Sequence, residues 1–191
     1  MRNIVLIAAS TAIVLSLNSC VSFSREMIKD DLSGLKKENV HMIDGQYQYN
    51  GYEYINHDNL KSGTDGNIGR MLAVKNTLVN DCDQLVIKSV PLVKGKTYEL
   101  EFIFLKGEEL RYTFKYQAQL KKGLLILNNH VSKCHGVPYL LGGCEISQSR
   151  IGLTKDHHLL IQNYKDNSGA FLLFFWAGYT INYAEKFKRI N

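Results

Sequence analysis

The chain has 191 residues and a slight basic excess, 23 Lys plus Arg against 18 Asp plus Glu, for a formal net charge of +5. Its bases are spread along the chain, with lysine doublets at Lys36-Lys37 and Lys121-Lys122, so no nucleic-acid partner is expected. Two prolines, 11 Tyr and 8 Phe favour strands, and no internal repeat or low-complexity tract is present.

After Arg2, the run from Ile4 to Leu17 is almost wholly apolar, broken only by Ser10, Thr11 and Ser16. It is long enough for the apolar part of a signal peptide and short of the ~20 residues a membrane span needs. The next residues, Leu17-Asn18-Ser19-Cys20, resemble the bacterial lipobox, with Leu at −3 and a small residue before Cys. The resemblance implies cleavage before Cys20 and lipidation of that thiol. It divides the chain into a signal peptide (1–19), a lipidated N-terminus and tether (20–42) and one β domain (43–191). Membrane attachment would then follow from burial of acyl chains such as palmitate, two of which hold stably where one does not. Val21, rather than Asp, follows Cys20. The expected address is therefore the bacterial outer membrane, facing the periplasm.

Within the tether, Ile28, Leu32 and Leu35 are spaced for one short amphipathic helix, and the remainder reads as a flexible leash. Gln46 to Tyr54 then alternates aromatic with polar residues about Asn50-Gly51. Asn-Gly suits a type I′ turn, which predicts a hairpin pairing Tyr49 with Tyr52 and Tyr47 with Tyr54. Residues 57–67 form a polar loop. Asn67 is an expected N-cap for a helix reaching about Leu78, since Ile68, Met71, Leu72 and Lys75 follow helical spacing.

Strands follow at Leu85–Ile87, Tyr98–Phe104 and Leu110–Leu120, the last two alternating strictly with period two. A hairpin about Lys106–Glu109 places Glu99 or Glu101 near Lys115. Further strands are expected at Leu124–Val131, Ser147–Leu153, His158–Tyr164, Phe171–Ile181 and Ala184–Ile190. Short connections with almost no intervening helix argue for antiparallel meander topology. The fold class is therefore all-β, an up-and-down barrel or meander of about eight or nine strands with one short helix.

Gly45-Gln46-Tyr47 stands where lipocalins carry G-x-W on the first strand, and Arg189 stands where they place an Arg over that Trp. The layout resembles a lipocalin-like barrel on a lipid tether, and is similar to small lipoproteins of Gram-negative envelopes. That resemblance implies a small hydrophobic ligand, in a barrel lined by Tyr47, Tyr49, Phe102, Tyr112, Phe114 and Tyr116. The same residues equally fit a filled core. The alternative is accordingly an envelope structural or interaction protein with a solid core and an envelope protein as partner.

Cys134 and Cys144 flank an apolar stretch and are a candidate disulfide, leaving Cys82 as a small core residue. His130, Cys134, His135 and Cys144 carry zinc-type donors at a spacing that matches no familiar zinc pattern, so no metal is expected. His157 and His158 follow Lys155-Asp156 beside a tight turn, where solvated polar residues are usual. No nucleophile elbow, zinc-protease or phosphate-loop motif occurs, and no cofactor or enzymatic activity is expected. Ala170 to Gly178 is apolar on both faces of a strand. One face would meet the interior, the other the protein's own helix or N-terminal segment, a partner or lipid. Val137 to Gly143 is expected to be an apolar loop at the barrel mouth.

Overall fold

In the computed structural model the described residues are 23–64, 66–92, 96–137, 141–171 and 175–190. The signal segment and Cys20 with its expected lipidation lie outside them. Eleven strands form one antiparallel sheet: β1 (Gly45–Gln48), β2 (Glu53–Ile55), β3 (Lys61–Ser62), β4 (Gln84–Pro91), β5 (Thr97–Lys106), β6 (Glu109–Lys121), β7 (Leu124–Leu127), β8 (Val131–Val137), β9 (Leu141–Leu153), β10 (Leu159–Phe171) and β11 (Phe175–Phe187). The spatial order is β1-β4-β5-β6-β7-β9-β10-β11-β2-β3, with β8 paired to β9 beside this path.

The period-two pattern of β5 is realised directly, since Tyr98, Leu100, Phe102 and Phe104 are all buried while their neighbours are half-exposed. In the β5–β6 register Glu101 lies opposite Lys115. The Lys115 ammonium reaches diagonally to Glu99 at 2.7 Å, an exposed pair that adds little energy but agrees with the expected register. Gly107 takes a positive φ of 58° in the turn between these strands, a conformation that costs glycine little.

The expected hairpin at Asn50-Gly51 does not form. β1 pairs with β4, whereas β2 pairs with β11, so the two segments serve opposite ends of the sheet. Long partners offered Tyr47 and Tyr49 full burial, which a two-strand ribbon cannot give. Gly51 is instead a point of close approach, because a Cβ there would fall 2.1 Å from the Glu185 carboxylate. The expected helix is also shorter. Asn67 does cap it, its side chain accepting from the Arg70 amide at 2.9 Å, but α1 spans only Ile68–Met71. Ala73, with φ 54°, ends the helical path before Lys75.

One core cluster draws on nearly every strand of the sheet, including Tyr47, Leu85, Phe102, Phe104, Leu125, Ile151, Ile161 and Phe187. A smaller cluster lies on the opposite face of the sheet and joins Met27 and Ile28 to Ile55, Leu124, Leu160 and Ala184. The segment read as a leash is thus packed against the sheet from Phe23 onward. Short 3-10 turns at Glu26–Ile28 and Lys37–Ile43 carry most of its buried residues, and Leu35 between them is buried as well. Polar contacts fasten it: the Ser24 carbonyl accepts from Gln162 at 2.7 Å and from Arg150 at 3.1 Å, and the Arg150 guanidinium lies 4.5 Å from the Phe23 ring centroid. Burial, aided by the neighbouring charge of Arg25, lowers the Arg150 pKa to about 10.

The ladder of strand pairings is open, ending at β1 and β3. A single bridge between Tyr47 and Arg189, flanked by bonds from the Gln48 amide to the Lys188 carbonyl (2.8 Å) and from the Ile190 amide to the Gln46 carbonyl (2.7 Å), links β1 to the chain beyond β11. The Arg189 guanidinium lies 5.4 Å from the Tyr47 ring centroid, the contact the resemblance implied. Among the described residues no strand ladder closes the sheet, so the lipocalin-like closed barrel is corrected to an open antiparallel sheet of meander type.

Two outcomes follow for the docked segment. Asp31 receives bonds from Lys61 and Lys186, both 2.9 Å, and Glu53 joins the same group. Burial raises the Asp31 pKa, but the two ammonium groups outweigh it and hold the carboxyl below its ordinary value of 3.8. The stability it contributes is complete above that value and is lost as pH falls through the lower folded one. Asp31→Asn should therefore flatten the acid limb of a thermal-stability profile against pH. Ile28→Ala should cost about 2–5 kcal/mol in urea unfolding by leaving a cavity, whereas a free leash would show no change.

Candidate functional site

The site arises where one long strand loses its neighbour. β6 is paired with β5 along its length, yet β7 covers only Ala118 to Lys121 on the other side. From Asn128 onward the chain departs with β9, to which β8 is paired from Val131 to Val137. The sheet divides between β6 and the start of β8, and an open cleft of about 440 Å3 lies in the division.

Which backbone groups face the division follows from the ladder's alternation. The Gln117 carbonyl accepts from the Asn128 amide on the β7 side, whereas the Leu120 amide donates to Lys96 on the β5 side. Odd-numbered residues of β6 therefore direct their amides and carbonyls away from β5. At Thr113 and Lys115 these groups meet the open side.

Side chains complete the cleft. Tyr112, Phe114 and Tyr116 form its wall from β6 and rest on the core. Phe114 stacks on Phe102, with centroids 5.1 Å apart and planes 13° apart, and meets Tyr116 edge-on at 5.0 Å. Burial, helped by Tyr112, raises the Tyr116 pKa. Asn163 from β10 donates to the Met71 carbonyl at 2.9 Å and to the Tyr183 hydroxyl at 3.1 Å. Its Oδ1 is buried with no partner among the described residues. Arg70, Lys75, His130 and Lys165 bring basic groups to the lining, and no acidic residue lines it among the described residues.

The six residues expected to line a ligand cavity are divided by this arrangement. Tyr47, Tyr49 and Phe102 are fully buried, whereas Tyr112, Phe114 and Tyr116 are half-buried at the cleft. Tyr49 meets Phe104 edge-on at 6.0 Å, and the Tyr47 hydroxyl donates to the Ile43 carbonyl at 2.7 Å. Burial pushes the Tyr47 phenol up to about 12, against the opposing field of Arg189. The rings thus fill the interior that a hydrophobic ligand was to occupy. The ligand-binding barrel is corrected to a solid core.

Beyond the core, β8 to β11 continue as an arm whose described surface, from Val131 to Gly136 and from Ala177 to Thr180, is exposed. A disulfide joins Cys134 and Cys144, which lie opposite one another in the β8–β9 register. Val137 and Leu141–Gly143, expected in an apolar loop, belong to these strands instead, and residues 138–140 lie outside the described residues. The central part of the second apolar stretch, Leu172 to Phe174, lies outside them too.

Among the described residues no group of three or more His, Cys, Asp or Glu side chains is placed to hold a metal ion. His158 has a structural role: its Nδ1 accepts from the Arg189 amide at 3.1 Å, and its ring meets Tyr52 edge-on at 5.5 Å. Cys82 is buried outside any disulfide, its thiol donates to the Leu78 carbonyl at 3.5 Å, and burial raises its pKa. Lys75, Asn163, Lys165 and Tyr183 were not singled out in the sequence. Nothing local marks them, since they meet only because the sheet divides.

No protein-family model, curated protein or solved structure matches the chain. The resemblance to envelope lipoproteins and lipocalins is therefore withdrawn. The lipid-anchored, periplasm-facing outer-membrane address, read from the lipobox resemblance and Val21, is withdrawn with it, since no matching family or relative supports it. No helix among the described residues is long and apolar enough to cross a membrane.

Cys134→Ser with Cys144→Ser should speed amide exchange in β8 while leaving the amides of Phe102 and Phe104 protected. The local loss should not exceed about 3 kcal/mol, the scale expected for so short a ring. Equal acceleration in β5 would show that the bridge supports the core instead.

Proposed function

We propose that this protein is a structural interaction module. A solid-cored β domain presents the divided edge of its sheet, and the cleft beside it, to a protein partner. One observation carries the reading: aromatic rings fill the interior, while the β6 edge at Thr113 and Lys115 has no neighbouring strand among the described residues. Unpaired strand edges are surfaces that proteins ordinarily cover, bend or charge, because another chain can pair with them. Lys115 puts one charge beside this edge, and its bond to Glu99 lies on the outer face, clear of the cleft. The reading involves no catalytic step and no small molecule within the core.

Position-specific photo-crosslinking in cells tests it. A photo-reactive residue at exposed Thr113 or His130 should yield a reproducible crosslinked protein, and one at exposed Lys88 on β4 should not. Equal yields at all three positions, or none, would remove the divided edge as the working surface.

A further inference from the structure

We infer that the partner enters as an extended acidic peptide strand that pairs with β6, a deeper statement that rests on the interaction reading above. The parity of β6 decides the geometry. Thr113 and Lys115 turn their amides and carbonyls to the open side, and an added strand would satisfy them as an ordinary antiparallel or parallel neighbour does.

Strand alternation then sorts the partner's side chains. Tyr112, Phe114 and Tyr116 occupy the inner face of β6, while Thr113, Lys115 and Gln117 are exposed on the outer face. A strand laid beside β6 sends every second side chain into the cleft along the aromatic row. Apolar side chains there would extend a packing that already runs from Phe102 through Phe114 to Tyr116.

Charge sets the sign of the partner. Lys75, His130 and Lys165 approach the cleft from three separate elements, and no carboxylate among the described lining residues answers them. Low-dielectric walls strengthen such a one-signed field. The floor adds a polar determinant, because the buried Asn163 Oδ1 accepts from no group among the described residues. A donor carried in by the partner, whether an amide or a hydroxyl, would complete it, and an unanswered acceptor of this kind is costly in an apolar setting. An acidic, partly apolar extended segment answers the unpaired edge, the aromatic wall and the basic rim together.

The test uses the full chain and three labelled peptides. The first is a ten-residue peptide of alternating Glu and Val, the second alternates Lys and Val, and the third is the Glu–Val peptide with every second amide N-methylated. In fluorescence anisotropy the Glu–Val peptide should bind about tenfold or more tightly than either of the others. Amide exchange at Thr113 and Lys115 should slow about tenfold in its presence, with little change in β4. Lys75→Glu with Lys165→Glu, both at exposed positions, should reverse the preference between the Glu and Lys peptides. Equal binding of the Glu and Lys peptides, undiminished binding of the N-methylated one, absence of binding, or unchanged exchange at Thr113 would each overturn the inference. Crosslinks at Thr113 alongside any of those results would leave the interaction reading standing without strand pairing. Absence of crosslinks would remove both.

Discussion

Arg189 ties the first strand of the sheet to the segment that follows its last strand in sequence. Its guanidinium lies over the Tyr47 ring and donates to the Tyr47 hydroxyl at 3.1 Å, to the Met42 carbonyl at 2.9 Å and to the Asp44 carbonyl. The same tyrosine bonds back to Ile43, so one cation ties the residues before β1, the first strand and the final segment together. A planar guanidinium has five donors in a fixed fork, which suits acceptors spread around its plane. Without that junction β1 would keep β4 but lose its link to the far side of the sheet.

The solid core and the open cleft share one cause. The aromatic row of β6 packs on that of β5, with Phe114 against both Phe102 and Phe104, so β6 stays with β5. The following chain instead pairs with β9, and the Cys134–Cys144 bridge fastens β8 to it. Two strong but different attachments pull neighbouring strands apart. Rings close the interior on one side of the parting, and unpaired backbone is left on the other. An interior filled in this way leaves the outer edge of β6 at Thr113 and Lys115 without a strand partner among the described residues.

The docked N-terminal segment follows similar logic. A sheet with apolar side chains on both faces needs cover on both, and Leu124, Leu160 and Ala184 present such a second face. Met27 and Ile28 supply the cover, and Arg150, Gln162 and Asn182 supply polar anchorage at Ser24. An amphipathic pattern at Ile28, Leu32 and Leu35 was visible from spacing. Its outcome was not: no α-helix forms over these residues, Ile28 and Leu32 join one cluster and Leu35 the other, and the faces they meet draw on distant strands.

By itself the sequence determined what depends on neighbours a few positions apart. The period of β5 and β6, the turn at Gly107, the diagonal reach of Lys115 to Glu99 and the cap at Asn67 are all local, and a short window of side chains contains their causes. Tertiary structure alone decided which strands share an edge. The Asn50-Gly51 turn was outweighed because Tyr47 and Tyr49 gain more from burial against distant partners than from a ribbon of two strands. The parting of β6 from β8, which brings Lys75, Asn163 and Lys165 to one cleft, is likewise a contest between separate long-range attachments. Such contests are settled by total burial and pairing across the whole sheet, quantities that no stretch of residues carries alone.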